Sequence, residues 1–344
     1  MPFPFFKGKG SDISEKGWKA IPPSRQRAET LPEFYEADAA LIDAVNTALL
    51  MGRPLLLTGD PGTGKTQLAF RLAWELGLGK PEVFETKSDS SAKDLFYTWD
   101  ALGRFHDAYC SPGKTAKETA TEYITFNALG RAILLSLEKE KVRDLLPENN
   151  PDFIHDGPRR SVVLIDEIDK APRDFPNDIL NEIEQMYFRI PELGNRRVPD
   201  LGQESDLGQE FDYTPIVIIT SNSEKHLPGP FLRRCAYHHI TFPEPKQMER
   251  IVLNRLRHIP DQGRISEPSK KFIEDATALF FHLKKEDKWA GLSTGELIAW
   301  IQAMRESSDK ENPVADDRDV AARTISLLVK SGDSAEIRKI VKEW

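Results

Sequence analysis

The chain has 344 residues, of which 39% are hydrophobic and 30% charged, and 47 Lys and Arg against 55 Asp and Glu leave a net charge of −8. That length suits about two domains with a sizeable core, and the acidic balance opposes general attachment to DNA, RNA or anionic lipid except through a local basic patch. Collagen, a coiled coil, a membrane channel and a disulfide-stapled secreted domain are excluded: no run approaches the roughly 20 apolar residues of a membrane helix, and Cys110 and Cys235 form no C-x-x-C pair. The start, Met1–Lys7, has apolar residues but no basic region ahead of them, so it does not read as a signal peptide. A reducing cytoplasm is the expected setting.

Residues 1–34 are rich in Pro, Lys, Arg and Ser and read as an irregular N-terminal arm. A helix follows, with Leu41, Ile42, Val45, Leu49 and Leu50 on one face. Strands are expected at Pro54–Thr58, Val83–Thr86, Ser161–Ile165 and Ile216–Thr220, and a fifth at His238–Phe242. Helical stretches lie between them at Gln67–Leu76, Ala128–Leu145 and Phe175–Met186. Near-continuous apolar strands alternating with helices predict an α/β fold, a parallel sheet covered by helices on both faces. Beyond Pro243 and Pro245 only helical patterns remain: Met248–Leu256, Lys270–Leu283, Thr294–Glu306 and Val320–Lys330. A small all-α domain over 246–344 is therefore expected after a sheet domain over 35–245. A six-residue repeat, Asp200–Ser205 followed by Asp206–Phe211, is too short for a solenoid and reads as an exposed acidic loop.

Gly59-Asp60-Pro61-Gly62-Thr63-Gly64-Lys65-Thr66 fits G-x-x-x-x-G-K-[ST] at every fixed position, between a predicted strand and the helix that Gln67 opens. Glycines let backbone N–H groups turn toward phosphate oxygens, and the helix N-terminus adds its positive end. Lys65 supplies a charge for the β- and γ-phosphates of ATP, and the Thr66 hydroxyl is a ligand for Mg²⁺. Val162-Val-Leu-Ile-Asp-Glu167 supplies the second half of such a site. Asp166 is expected to hold Mg²⁺ mostly through water, and Glu167 to polarise the water that attacks the γ-phosphate. Asp169 reads as a cap of the following turn.

The order of these motifs, with Ile218-Ile-Thr-Ser-Asn222 after them, resembles that of an AAA+ ATPase, a P-loop NTPase with a small helical lid. The resemblance makes Asn222 the first sensor, which positions the attacking water. It places Leu232-Arg-Arg-Cys235 where the family carries an arginine finger for the neighbouring subunit, with Arg234 the better fit and Arg233 second. Tyr35–Asn46 followed by Gly52–Gly59 looks like the approach to the P-loop in the MoxR-like branch. In that branch Ser88–Gly130 fits an insertion in the second helix, and Tyr187–Asp212 a hairpin ahead of the first sensor. A homo-hexameric ring acting on a protein client is implied, sometimes beside a protein with a von Willebrand A domain. Neither a nucleic acid nor a membrane is an expected partner. The alternative is a nucleotide-gated switch with slow turnover.

One departure stands out. The family's second sensor is an arginine, and its place is taken by Gly295 in Gly291-Leu-Ser-Thr-Gly-Glu-Leu-Ile298, where Ser293 and Glu296 instead form a capping box. Other features receive structural readings. Thr86-Lys-Ser-Asp89 imitates a guanine-reading motif but precedes the Asp166 strand, adjacent His238 and His239 point to opposite faces of a strand, and Cys235 is a small core residue. Leu297, Trp300 and Ile301, with Phe280, Phe281 and Trp289, read as lid core.

Overall fold

The computed structural model describes residues 32–110, 120–146, 153–200, 213–222, 224–257, 267–286, 289, 291–329 and 334–344. Nine strands occur among them: β1 Leu55–Gly59, β2 Glu82–Glu85, β3 Tyr97–Trp99, β4 Ile124–Phe126, β5 Val162–Asp166, β6 Phe188–Ile190, β7 Arg196–Val198, β8 Ile216–Ser221 and β9 Ala236–Ile240. The first eight helices are α1 Ala39–Met51, α2 Lys65–Glu75, α3 Ala101–Cys110, α4 Ala128–Ser136, α5 Lys139–Val142, α6 Phe175–Asp178, α7 Leu180–Gln185 and α8 Gly229–Arg234. Six more follow: α9 Pro245–Leu256, α10 Lys270–Lys284, α11 Thr294–Ser307, α12 Pro313–Asp316, α13 Arg318–Thr324 and α14 Ser334–Glu343. The described residues divide into two compact units, one within 37–59 and 64–240, the other within 32–36, 60–63 and 241–344. The sheet unit ends at Ile240, where β9 closes it, five residues before the boundary the prolines suggest.

In the first unit five parallel strands run in the order β2-β5-β8-β1-β9. Helices pack on the sheet, α1 against β1 and β9, α2 against β1, β5 and β8, and α4 against β2 and β5. Every residue of β1 is buried, as are the first four of β5 and the last five of β8. These strands show no in–out alternation because both faces are covered. Asp38 caps α1 by accepting the Leu41 N–H at 2.8 Å, and Gly52 ends it in the left-handed conformation at φ 61°.

Two expected helices are interrupted. The run Ala128–Leu145 breaks at Leu137, whose backbone is extended, and the Ser136 hydroxyl turns back on the Ile133 carbonyl at 2.7 Å. The run Phe175–Met186 splits at Ile179, at φ −93° and ψ 0°, and stops at Met186 with φ 47°. The first insertion holds the antiparallel pair β3–β4 and closes at Asn127, because residues 128–130 already belong to α4. The second holds the antiparallel pair β6–β7; residues 201–212, and with them the acidic repeat, lie outside the described residues. The two pairs share one aromatic cluster. Phe188 stacks on Phe96 at 5.4 Å between ring centroids and touches Tyr97 and Phe126, each at 6.2 Å. The Tyr97 hydroxyl donates to Glu192 Oε2 at 2.7 Å.

The second unit is helical around Met248, Val252, Phe272, Leu279, Phe280, Leu297, Trp300 and Met304, all buried. Trp300 donates its indole N–H to the Ala321 carbonyl at 3.2 Å, which pins α11 to α13. The expected helix Val320–Lys330 is shorter, since α13 ends at Thr324 and a 3₁₀ turn covers Ile325–Leu327. The short α12 carries too little pattern to be announced, whereas sequence reasoning missed the terminal α14 although it is amphipathic, with Ile337 and Val341 one turn apart and buried. Glu36 belongs to this unit and pairs with Asn254 and Arg250 of α9.

Gly130 lies in the buried face of α4, and a Cβ added there would stand 2.0 Å from the Phe96 carbonyl oxygen. That carbonyl is held in place by the Asn127 N–H at 2.8 Å. Gly130→Ala should therefore destabilise the first unit by about 1–3 kcal/mol of overpacking strain, read as a lower midpoint in urea titration despite the better helix propensity of alanine.

Candidate functional site

The parallel register carries the predicted site residues to one edge of the sheet. Thr58 aligns with Ser221, Ile165 with Ile219, and Glu85 with Asp166, so Gly59, Asp166 and Asn222 all emerge at the carboxyl ends of neighbouring strands. Gly59 passes into a loop whose Gly62 and Gly64 have φ 76° and 90°, values that side-chain-bearing residues rarely adopt. The Thr63 hydroxyl closes the loop on the Asp60 carbonyl at 2.8 Å, and Pro61 stiffens it between them. Lys65 begins α2, is 6% exposed, and donates from Nζ to the Gly59 carbonyl at 2.8 Å. Gln67 follows in the same helical turn, with Oε1 buried.

Thr66 donates its hydroxyl to Asp166, at 2.9 Å from Oδ1 and 3.2 Å from Oδ2. The sequence pairs these residues through a metal, and the structure places them within direct hydrogen-bond reach. A third group joins them. Thr220 in β8, fully buried, donates to Asp166 Oδ1 at 2.6 Å and accepts the Glu167 N–H at 2.8 Å. That N–H is oriented because Glu167 is in the left-handed region at φ 54° and ψ 51°, a costly conformation for a residue with a Cβ. One hydroxyl thus fixes both the carboxylate of Asp166 and the backbone of Glu167.

The Glu167 carboxylate has two partners of its own. Oε1 accepts from Asn222 Nδ2 at 2.9 Å, and Oε2 accepts from Lys170 Nζ. The carboxylate beside it raises the Lys170 ammonium above the ordinary lysine range. Asp169, expected as a cap, is 2% exposed and bonds instead to the backbone N–H groups of Asn222 and Glu224. Sequence reasoning missed Thr220 and Lys170. A lone threonine in an apolar strand and a lysine in an exposed turn carry no local signal of the partners that folding brings to them.

Arg234 does not join this cluster. It ends α8 just before β9, whose first residue Ala236 aligns with Leu55 at the start of β1. At about 3.3 Å per strand residue, the length of β1 separates it from the phosphate loop by roughly 13 Å along the sheet. Its Nε pairs with Glu184 Oε2 at 3.1 Å, and Arg233 is exposed. The other side chains given structural readings lie as follows. Thr86–Asp89 forms the turn after β2, closed by Ser90 on the Lys87 N–H at 2.9 Å. His239 Nδ1 and the Tyr237 hydroxyl both meet the Thr58 hydroxyl, at 3.0 and 2.9 Å. Ser293 and Glu296 form the capping box, and Gly295 is exposed, with open space where a side chain would begin. Among the described residues, no group of three or more His, Cys, Asp or Glu is placed to hold a metal ion.

The family model for the AAA domain (dynein-related subfamily) matches residues 54–235, more than half of the chain. The chain belongs to the AAA domain family. Its P-loop and parallel sheet are those of this AAA domain. Among solved structures, the Thermotoga maritima RuvB Holliday junction branch migration motor is similar at 17% identity with a TM-score of 0.44, covering 87% of this chain and 71% of that one. A single-substitution variant of the same motor is similar at 16% identity and a TM-score of 0.41, over 88% of this chain and 69% of that one. Among curated proteins no sequence matches the chain. No described helix is long and apolar enough to cross a membrane.

Two outcomes are expected. Thr220→Val preserves shape but leaves the Glu167 N–H without its acceptor and removes one of the two hydroxyls on Asp166 Oδ1, which should cost about 1–3 kcal/mol in denaturant titration, whereas Thr220→Ser should retain most of the stability. Burial pushes the Cys235 thiol up to about 12. The thiolate is therefore scarce at any pH well below that value, and a thiol reagent at pH 8 should leave Cys235 unlabelled until the protein is unfolded.

Proposed function

We propose that this AAA domain protein is an ATP hydrolase that works as a ring, a homo-hexamer of the MoxR-like kind, to remodel or mature a protein partner. The observation that supports it most is the convergence of Lys65, Thr66, Asp166, Glu167 and Asn222 at one sheet edge. The donor set suits Mg-ATP: a buried ammonium, a loop whose glycines free its N–H groups, and a hydroxyl paired with a carboxylate. When bound, Mg-ATP supplies the γ-phosphoryl group and a cation that draws charge from its oxygens. Gly59–Gln67 would wrap the phosphates, and Lys65 would exchange the Gly59 carbonyl for them. Thr66 and Asp166 would hold the metal, with Asp166 kept in orientation by Thr220.

Glu167 would take the proton from the attacking water while Asn222 orients both. Of the two present partners of Glu167, the exposed Lys170 side chain is the one open to exchange. Arg234, at the far edge of its own sheet, is suited to a neighbour's nucleotide rather than its own. The acidic net charge favours a protein client over a nucleic acid, and a protein with a von Willebrand A domain is the partner the MoxR-like reading brings. The cytoplasm is the matching location. The runner-up is a slow nucleotide-gated switch, favoured by Gly295 in the second-sensor place and by the double engagement of Glu167.

The test is ATP turnover per subunit across a wide range of protein concentration, with Glu167→Gln as the blank. A specific rate that climbs with concentration, and falls by roughly 10³-fold or more in Arg234→Ala, is the expected result. Mixing Arg234→Ala with Lys65→Ala subunits should restore part of the activity, since some interfaces then carry both intact residues. A flat rate, or no recovery on mixing, would remove Arg234 from a neighbour's site. A rate that stays at the blank throughout would favour the switch.

A further inference from the structure

We propose that Asp169 is a positioning residue for hydrolysis: its buried carboxylate anchors the backbone leaving β8 and so holds Asn222 against Glu167. The proposal deepens the ATP-hydrolase reading and rests on it. Asp169 lies in the 3₁₀ turn Ile168–Lys170, directly after Glu167, and is 2% exposed. Its two oxygens are both used. Oδ1 accepts the Asn222 N–H at 3.2 Å, and Oδ2 accepts the Glu224 N–H at 2.9 Å.

A helix or turn cap takes N–H groups from its own turn, two or three residues away. The bonds of Asp169 instead run to residues 53 and 55 positions along the chain. A carboxylate withdrawn from water in this way is costly unless hydrogen-bonded, and charge-assisted bonds to backbone N–H groups are stronger than neutral ones. The linkage therefore resists displacement. Lys225, in the bend that follows β8, reinforces it by donating from Nζ to the carbonyls of Lys170 and Ala171 at 3.1 and 3.0 Å.

The geometry closes a small circuit. Asn222 is fixed through its backbone by Asp169 and reaches Glu167 Oε1 through its side chain at 2.9 Å. The turn that carries the carboxylate expected to accept the water proton also carries the one that fixes its partner. Without Asp169, Asn222 remains in the sequence but loses the constraint that sets its distance from Glu167. Misplacement by about 1 Å can cost roughly 10²-fold in rate.

Asp169→Asn replaces one acceptor oxygen by an NH₂ group, so one backbone N–H then faces a donor. The expected result is a kcat lower by roughly 10²-fold, with KM and the affinity for a fluorescent ATP analogue within about twofold of wild type. Combined with Asn222→Ala, the double variant should lose no more than Asn222→Ala alone, because the two act through one contact. Losses that multiply, or a wild-type kcat in Asp169→Asn, would overturn the proposal. Amide hydrogen exchange at Asn222 and Glu224 gives a readout independent of turnover. It should quicken in Asp169→Asn, and unchanged protection would remove the anchor. Wild-type protein with no turnover above Glu167→Gln would sink the hydrolase reading instead, with the exchange result still deciding the anchor. Should Asp169→Asn fail to fold, Glu224→Pro deletes one of the two N–H groups from an exposed position. A lowered kcat with unchanged KM would then support the proposal, and wild-type kinetics would defeat it.

Discussion

The arrangement at the sheet edge depends on a single buried hydroxyl in the middle strand of the sheet. β8 lies between β1, which ends in the phosphate loop, and β5, which ends in Asp166 and Glu167. Thr220 is the polar atom in that strand that reaches across to β5, as donor to one residue and acceptor from the next. Its place is dictated by register. A shift of one residue in the β5–β8 pairing would send its side chain to the opposite face, and the left-handed backbone of Glu167 would lose the acceptor that supports it. The energy that keeps the register comes from elsewhere, from Leu56, Val163, Ile165, Val217 and Ile219 buried in one core. Apolar burial sets the strand positions, and the hydroxyl turns those positions into an oriented pair of carboxylate-bearing residues.

Much of this was legible before any coordinates. The glycine loop could be read because its chemistry is local: eight consecutive residues contain the turn, the lysine and the hydroxyl. The three central strands could be read because burial on both faces makes them uninterrupted apolar runs. The features that escaped are non-local or short. Strands of three residues such as Tyr97–Trp99 carry too little pattern to separate from a loop. The break at Ile179 follows from a backbone angle that no residue preference there announces. Asp169 resembles a cap in sequence because its type and spacing match one, while its actual partners lie in the segment that follows β8. Lys170 and Thr220 belong to common types at unremarkable positions, and only the fold gives each a carboxylate.

Charge placement separates two functions of arginine and lysine in this chain. Lys65 is buried, and its ammonium donates to the Gly59 carbonyl. Lys170 and Arg234 are half-exposed and paired with Glu167 and Glu184, and ion pairs this exposed contribute little to stability. Such pairs are weak enough to be exchanged for a stronger anion. Gly295 is exposed, with nothing near the point where a side chain would begin.

The aromatic cluster around Phe188 bears on how this chain could have diversified. β3–β4 and β6–β7 are separate insertions in sequence, yet Phe96, Tyr97 and Phe126 from one and Phe188 and Glu192 from the other form a single contact set. Neither can be replaced alone without stripping the ring contacts from its counterpart. For inheritance and for engineering alike, the two segments amount to one module written in two places, and a graft between relatives would have to move both together.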